Sequence, residues 1–279
     1  EIEHKAVLEP LEALAARGFE VKLVAPGRDG AVRPEAVRAA VRDDTLLVSV
    51  MHVNNETGVR QPVEAGAVAL EGHEAYLHVD AAQGFGKELA ALRLPRVDLV
   101  SISSHKIYGP VGVGGLVARR RGFDKVPLAC LMRGGGQERG LRPGTLPVAL
   151  IAGLGAAAEA AAVEAEARRA QCAAVRERAL AALRPLGIQL HGTLEGSLPH
   201  VLSFSVEAVD SEALMVGVRD LVAVSNGSAC TSQSYAPSHV LEAMGRPPSE
   251  VAGAVRMSWC HLTPAVDWEA VAARIVSLR

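Results

Sequence analysis

From Thr45 to Val117 the chain alternates apolar runs with short helical segments, and two of those runs break off abruptly into polar residues. AYLHV runs into Asp80 and Gln83, and VDLVSIS runs into Ser103, His105 and Lys106. Strands alternating with helices predict an α/β chain built on a mainly parallel sheet. In such a sheet the C-terminal strand ends open onto the crevice where ligands bind. An acid on one strand end and a lysine on its neighbour is the pair a pyridoxal phosphate (PLP) site requires. The lysine attaches the cofactor, and the acid keeps the pyridine nitrogen protonated so that the ring can draw off electrons. Spacing alone favours an ordinary surface acid and lysine over such a site.

The flanking elements follow from pattern. Lys5 to Arg17 has helical spacing and stops at Gly18, and FEVKLVAP (19–26) alternates as a strand does. Pro34 to Val41 reads as a helix opened by proline. TLLVSVMHV (45–53) is a continuous apolar run, as for a strand buried on both faces, ending on NNETG. A helix is expected over 62–71, and strands over 75–79 and 97–102. A glycine-rich edge strand is expected in VGVGGLVAR. A long helix runs from Val148 towards Leu183. Beyond Pro185 the pattern changes, with strands at HVLSFSV and LVAVSN, a helix over SEALMVGVRD, a helix start in SYAPSHVLEAMG and an amphipathic tail. The expected domains are 1–147, a larger α/β domain, and 148–279, a smaller α+β domain.

Composition narrows the function. The net charge of -2 among 279 residues gives no footprint for nucleic acid or an acidic membrane. The alanine-rich stretch 146–163 reads as a helix packed in protein, not a membrane span. The glycine-rich loop RGGGQERGLRPGTLP lacks both the strand–glycine–helix context of a dinucleotide site and the Gly-Lys-Ser/Thr of a P-loop. Cysteines 130, 172, 230 and 260 stand far apart. They make no metal-ligand spacing and no disulfide framework, so no metal is expected and the compartment is read as cytoplasmic. Cys130, Cys172 and Cys260 lie in apolar or helical contexts and read as inert. Cys230 sits in SNGSACTSQS, a segment of small and polar residues expected to be mobile. A thiol there is either a nucleophile or a tolerated surface cysteine. Arg256, inside AVRMSW, needs an anionic partner: a carboxylate of the chain or that of a substrate.

Taken together, EHKAVLEPLE, VSVMHVNNETGVRQP, HVDAAQ, SSHKIYGP, RGGGQERGLRPGTLP and SNGSACTS resemble the cysteine desulfurases of the NifS/IscS type. These are class V aminotransferase-like PLP enzymes of fold type I. The resemblance runs in order along nearly the whole chain. It implies that Lys106 attaches the cofactor, that Asp80 partners the pyridine nitrogen and that Gln83 bonds the phenolic oxygen. His4 would stack on the ring and move protons. Ser103 and His105 would bind the phosphate, and Thr145 would reach the phosphate in the other subunit of a homodimer. Asn55 and Arg256 would hold the substrate carboxylate, with Asn55 also beside the cofactor. Cys230 would be the nucleophile that takes sulfur from L-cysteine, leaving alanine. An acceptor protein serving iron–sulfur cluster assembly or tRNA thiolation would then receive it.

The chain departs from the family in four places. The family's upstream phosphate-wrapping turn does not occur in it. Ser258-Trp259-Cys260-His261 stands where the family reads Ser-Leu-Gly-Arg, and Asn226 and Pro143 replace serines. Two other readings stay open: a selenocysteine lyase of the same fold, and a non-catalytic scaffold that only docks a sulfur acceptor.

Overall fold

The computed structural model describes residues 1–227 and 237–279. The chain divides into two compact units. The first holds residues 42–50 and 63–165, and the second holds 1–41, 51–62 and 166–279. This differs from the single boundary expected at 147/148. The long helix starts at Val148 and runs unbroken across the division at 165/166, and residues 1–41 and 51–62 group with the C-terminal elements.

In the first unit, β1 (Leu47–Met51), β2 (Tyr76–Asp80), β3 (Leu99–Ser103) and β4 (Gly114–Ala118) form a sheet in that order. β2 and β3 are parallel, with Asp80 opposite Ser101, whereas β4 returns antiparallel to β3. β5 (Arg120–Arg121) and β6 (Asp124–Lys125) form a separate two-stranded sheet. The glycine-rich strand, β4, is therefore at an edge, as expected. β1 departs from expectation: it is the other edge strand, and Leu46 and Leu47 are 68% and 44% exposed. A continuous apolar run specifies burial on two faces, but an edge position in the described unit leaves one side open.

The start of β3 is pinned by Asp98, a carboxylate only 1% exposed. It accepts from Leu77 N at 2.7 Å and pairs with Arg96 at 2.7 Å and Arg121 at 2.8 Å. Burial opposes its ionisation. The hydrogen bonds from Arg121 and Leu77 N and the two arginine charges prevail, and they hold the carboxyl below the usual range. This node fixes the sheet end opposite the candidate site.

The second unit begins with α1 (Lys5–Ala15), and α2 (Pro34–Ala40) carries the expected proline in its first turn. FEVKLVAP is not a strand: only Pro26 makes a bridge, to Val32. Alternation sorts side chains to two faces but supplies no strand to pair with. α3 (Val63–Ala69) belongs to the first unit. α4 (Val148–Leu183) spans the division between the units.

In its C-terminal half, Cys172, Val175, Ala179, Leu180 and Leu183 recur at helical spacing and enter a buried core. Opposite lie β8 (Val201–Ser205), β9 (Val255–Ser258) and α8 (Trp268–Val276). β7 (Gln189–Leu190) joins β8 and β9 in an antiparallel sheet. Trp259 donates its indole N–H to the Cys172 carbonyl at 3.0 Å and meets Trp268 edge-on at 6.4 Å. Residues 221–226, expected as a strand, contribute one bridge, Ser225 to Arg256. α5 (Ser211–Gly217), α6 (His239–Ala243) and α7 (Pro248–Ala252) complete the unit.

The N-terminal half of α4, expected as a helix packed in protein, is largely exposed within this chain. By length and composition α4 could cross a membrane, and almost none of its apolar window is buried in this chain. Cys172 is buried, as expected of an inert thiol, whereas Cys130 and Cys260 are half-buried.

One buried group makes the second unit acid-sensitive. His191 is enclosed, with Nδ1 at 3.0 Å from Ser203 Oγ and Nε2 at 3.3 Å from Ser205 Oγ. Burial, and then the charge of Arg246, pushes its pKa down to about 4 from 6.5. Between those values the unfolded chain binds the proton and the folded chain does not. Stability from this site is therefore complete above pH 6.5 and is lost as pH falls towards 4. Denaturant melts should show a loss of roughly 2 kcal/mol from this site between neutral pH and about pH 5. His191→Gln should flatten that slope; an unchanged slope would remove His191 as its source.

Candidate active site

The two parallel strand ends set the first half of the site. Parallel pairing carries one residue past β2, with Ala81 N donating to Ser101 O at 2.9 Å. Asp80 is 8% exposed and its Oδ1 accepts from Ala82 N at 2.9 Å. Among the described residues Asp80 forms no ion pair. The chain then turns through residues 81–86, with Gln83 half-buried. Gly86 adopts φ +75°, and a Cβ there would lie 2.6 Å from Ile107 Cγ2. Glycine at that point lets the turn after β2 lie against the turn after β3.

That second turn is a short 3-10 helix, Ser104–Ile107, closed by Tyr108 at φ 68°. A tyrosine in the left-handed region costs energy and persists only where its surroundings enforce it. It stands two residues after Lys106. Ser103 Oγ is 3.1 Å from His105 Nδ1, His105 is exposed and Lys106 is half-buried. Lys87 straps the two turns together, donating from Nζ to Gln83 O at 3.0 Å and to Lys106 O at 3.1 Å.

Two residues before Asp80, and so on the same face of β2, His78 lies between Ser49 Oγ and Ser101 Oγ, both at 2.8 Å. Burial lowers its pKa, and the Asp80 charge opposes that shift in part. A neutral imidazole accepts on one nitrogen and donates on the other, which suits two hydroxyl neighbours. Sequence reading missed Lys87 and His78. The period-two spacing from Asp80 was the available signal for His78, and Lys87 had none.

The second unit holds the remaining candidates. His4 is the N-cap of α1, and its Nδ1 accepts from Ala6 N at 3.1 Å, so a neutral ring carries its proton on Nε2. The NNETG segment folds into a tight turn, with Gly58 at φ +74° donating to Asn54 O at 3.0 Å. Arg256, on β9, donates from Nη1 to the backbone carbonyl of Asn55 at 3.0 Å. That carbonyl is one of the partners of its guanidinium. Ser238 Oγ donates to the buried Glu56 carboxylate at 2.5 Å. Thr145 is exposed, in the first unit. Cys230 lies outside the described residues.

Asp80, Gln83, Ser103, His105 and Lys106 are thus collected at neighbouring strand ends of one unit, and Asn55 and Arg256 are joined in the other. A buried carboxylate with no cation of its own, beside a strand end bearing a lysine, fits a protonated pyridine ring attached to that lysine. This parallel-sheet arrangement is that of fold-type I PLP enzymes.

The profile described as aminotransferase class-V matches residues 1–271, and the chain belongs to that family. It is 50% identical over 246 residues to the cysteine desulfurase IscS of Anaeromyxobacter dehalogenans, covering 87% of this chain and 60% of that protein. It is 42% identical over 276 residues to the cysteine desulfurase IscS of Pseudomonas aeruginosa, covering 99% of this chain and 68% of that one. Among solved structures, DndA from Streptomyces lividans superposes with a TM-score of 0.83 at 49% identity, covering 93% of this chain and 73% of that one. A NifS-like protein superposes with a TM-score of 0.88 at 36% identity, covering 99% and 72%. The chain spans about 60% of the length of the Anaeromyxobacter relative.

Proposed function

We propose that the protein is a PLP-dependent cysteine desulfurase, converting L-cysteine to L-alanine and holding the sulfur as a persulfide on Cys230. The observation that carries this reading is the buried Asp80, without an ion pair among the described residues, on the strand end next to that of Lys106. Bound PLP would supply an electron sink that lets the substrate's α-proton leave. Lys106 would attach it, Asp80 would hold the pyridine nitrogen protonated, Gln83 would donate to the phenolic oxygen, and Ser103 and His105 would hold the phosphate.

His4, with its proton on Nε2, would shuttle protons. Arg256 would grip the substrate carboxylate together with the Asn55 side chain. The Cys230 thiolate would attack the substrate sulfur. An S–S bond forms as the Cβ–Sγ bond breaks, and the electron pair stays with Cβ and is protonated, giving alanine.

The reading extends to a cytoplasmic homodimer that hands sulfur to an acceptor protein, for iron–sulfur cluster assembly or tRNA thiolation. The exposed Thr145 and the uncovered apolar half of α4 support a second copy. The test is incubation of the full-length, PLP-loaded protein with L-cysteine. Alanine, with one extra sulfur on the peptide containing Cys230 that is released as sulfide on addition of a thiol reductant, is the expected result. Absence of alanine would reject the activity.

A further inference from the structure

Residues 51–59 are buried without exception save Asn55, which is half-buried. At their centre is Asn54, 1% exposed and not among the residues implied by the family resemblance. Its Oδ1 accepts from Glu56 N at 2.9 Å, Thr57 N at 2.9 Å and Thr57 Oγ1 at 3.2 Å. Its Nδ2 donates to Ile2 O at 3.1 Å and lies 3.4 Å from Met51 Sδ. A buried amide with both ends engaged has one orientation.

The first of these contacts has a consequence for Arg256. The N–H of Glu56 and the C=O of Asn55 belong to one peptide group, planar and trans, so they point in opposite directions. Asn54 holds the N–H edge. Arg256 Nη1 is bonded to the C=O edge at 3.0 Å. Whatever turns the Asn54 amide turns that peptide, and with it the acceptor that aims the guanidinium. Arg256 is also held through its backbone, which exchanges bonds with Ser225 at 2.6 and 3.1 Å. Its strand position is therefore set independently of Asn54, and only its side-chain aim depends on the turn. The same Asn54 amide grips Ile2, two residues before His4.

We propose that Asn54 is the positioning residue for the substrate carboxylate, acting through the Asn55–Glu56 peptide on Arg256. This rests on the desulfurase reading, in which Arg256 binds that carboxylate. Asn54→Ala in the full-length, PLP-loaded protein should raise KM for L-cysteine about tenfold and change kcat less than about twofold. Asn54→Asp keeps the accepting oxygens and should recover most of the KM. Amide exchange at Glu56 and Thr57, measured without substrate, should quicken in the alanine variant and much less in the aspartate variant. In an Arg256→Ala background, adding Asn54→Ala should leave kcat/KM within about twofold, because the group it aims is gone.

Should Asn54→Ala fail to fold, Asn54→Ser replaces it in the same cycle. A folded Asn54 variant with unmoved KM would overturn the assignment, as would a full effect persisting without the Arg256 side chain. Those outcomes leave desulfuration standing. Wild-type protein that makes no alanine from cysteine would overturn both.

Discussion

Lys106→Ala should leave the protein folded and lower turnover of L-cysteine by more than roughly a thousandfold, the scale expected when a covalent catalytic group is deleted. The separation of the two effects follows from which atoms hold the turn. Lys87 grips the backbone carbonyl of Lys106, not its side chain, and Gly109 N closes the turn onto Ser104 O at 3.0 Å. Among the described residues nothing bonds to Lys106 Nζ. Removing that half-buried side chain should therefore cost no more than about 1 kcal/mol of stability. The wild-type protein should show the visible absorbance of lysine-bound PLP, and borohydride should fix one cofactor per chain. The variant should show neither. A variant with normal absorbance and a borohydride-fixed cofactor would place the attachment elsewhere.

What made Lys106 legible was local. Two apolar runs ended on polar residues within a few positions, and the parallel pairing of β2 and β3 brought those ends side by side as the alternation required. The long helix and the glycine-rich edge strand were equally local signals. Elements that depend on a distant neighbour were misread. FEVKLVAP alternates correctly yet pairs with nothing beyond one bridge. The run at 45–53 is apolar enough for a central strand, but its position is set by sheet order. The division into compact units differs from a single cut at 147/148 for the same reason: residues 51–62 join elements more than a hundred positions downstream.

The site divides along the same line. Residue type and motif pointed to Asp80, Asn55 and Arg256. The groups that orient them did not stand out, because each acts through partners that sequence spacing does not bring together. Lys87 bonds two main-chain oxygens on separate turns. Glu56 accepts from Ser238, 182 positions away. Asn54 reaches back to Ile2. A lysine, a glutamate and an asparagine of this kind are chemically ordinary until folding encloses them.

Cys230→Ser should lower production of alanine and sulfide from L-cysteine by more than roughly a thousandfold while leaving the lysine-bound cofactor unchanged. Sulfur transfer needs a thiolate, and an ordinary cysteine of pKa about 8.5 supplies one at neutral pH where a serine hydroxyl does not. The described flanks hold independently of residue 230. Ser225 exchanges backbone bonds with Arg256, and Ser238 is bound to Glu56. The serine variant should therefore keep the carboxylate site, and its Kd for a non-reacting amino acid should match the wild type's. The same variant separates desulfuration from selenocysteine cleavage. A lyase whose chemistry does not pass through an enzyme thiol would keep its rate on selenocysteine after the substitution. A desulfurase using Cys230 loses turnover of cysteine and the persulfide together. Turnover of cysteine above a tenth of the wild-type rate would move the nucleophile away from residue 230, and the half-buried Cys130 and Cys260 would be the thiols to substitute next.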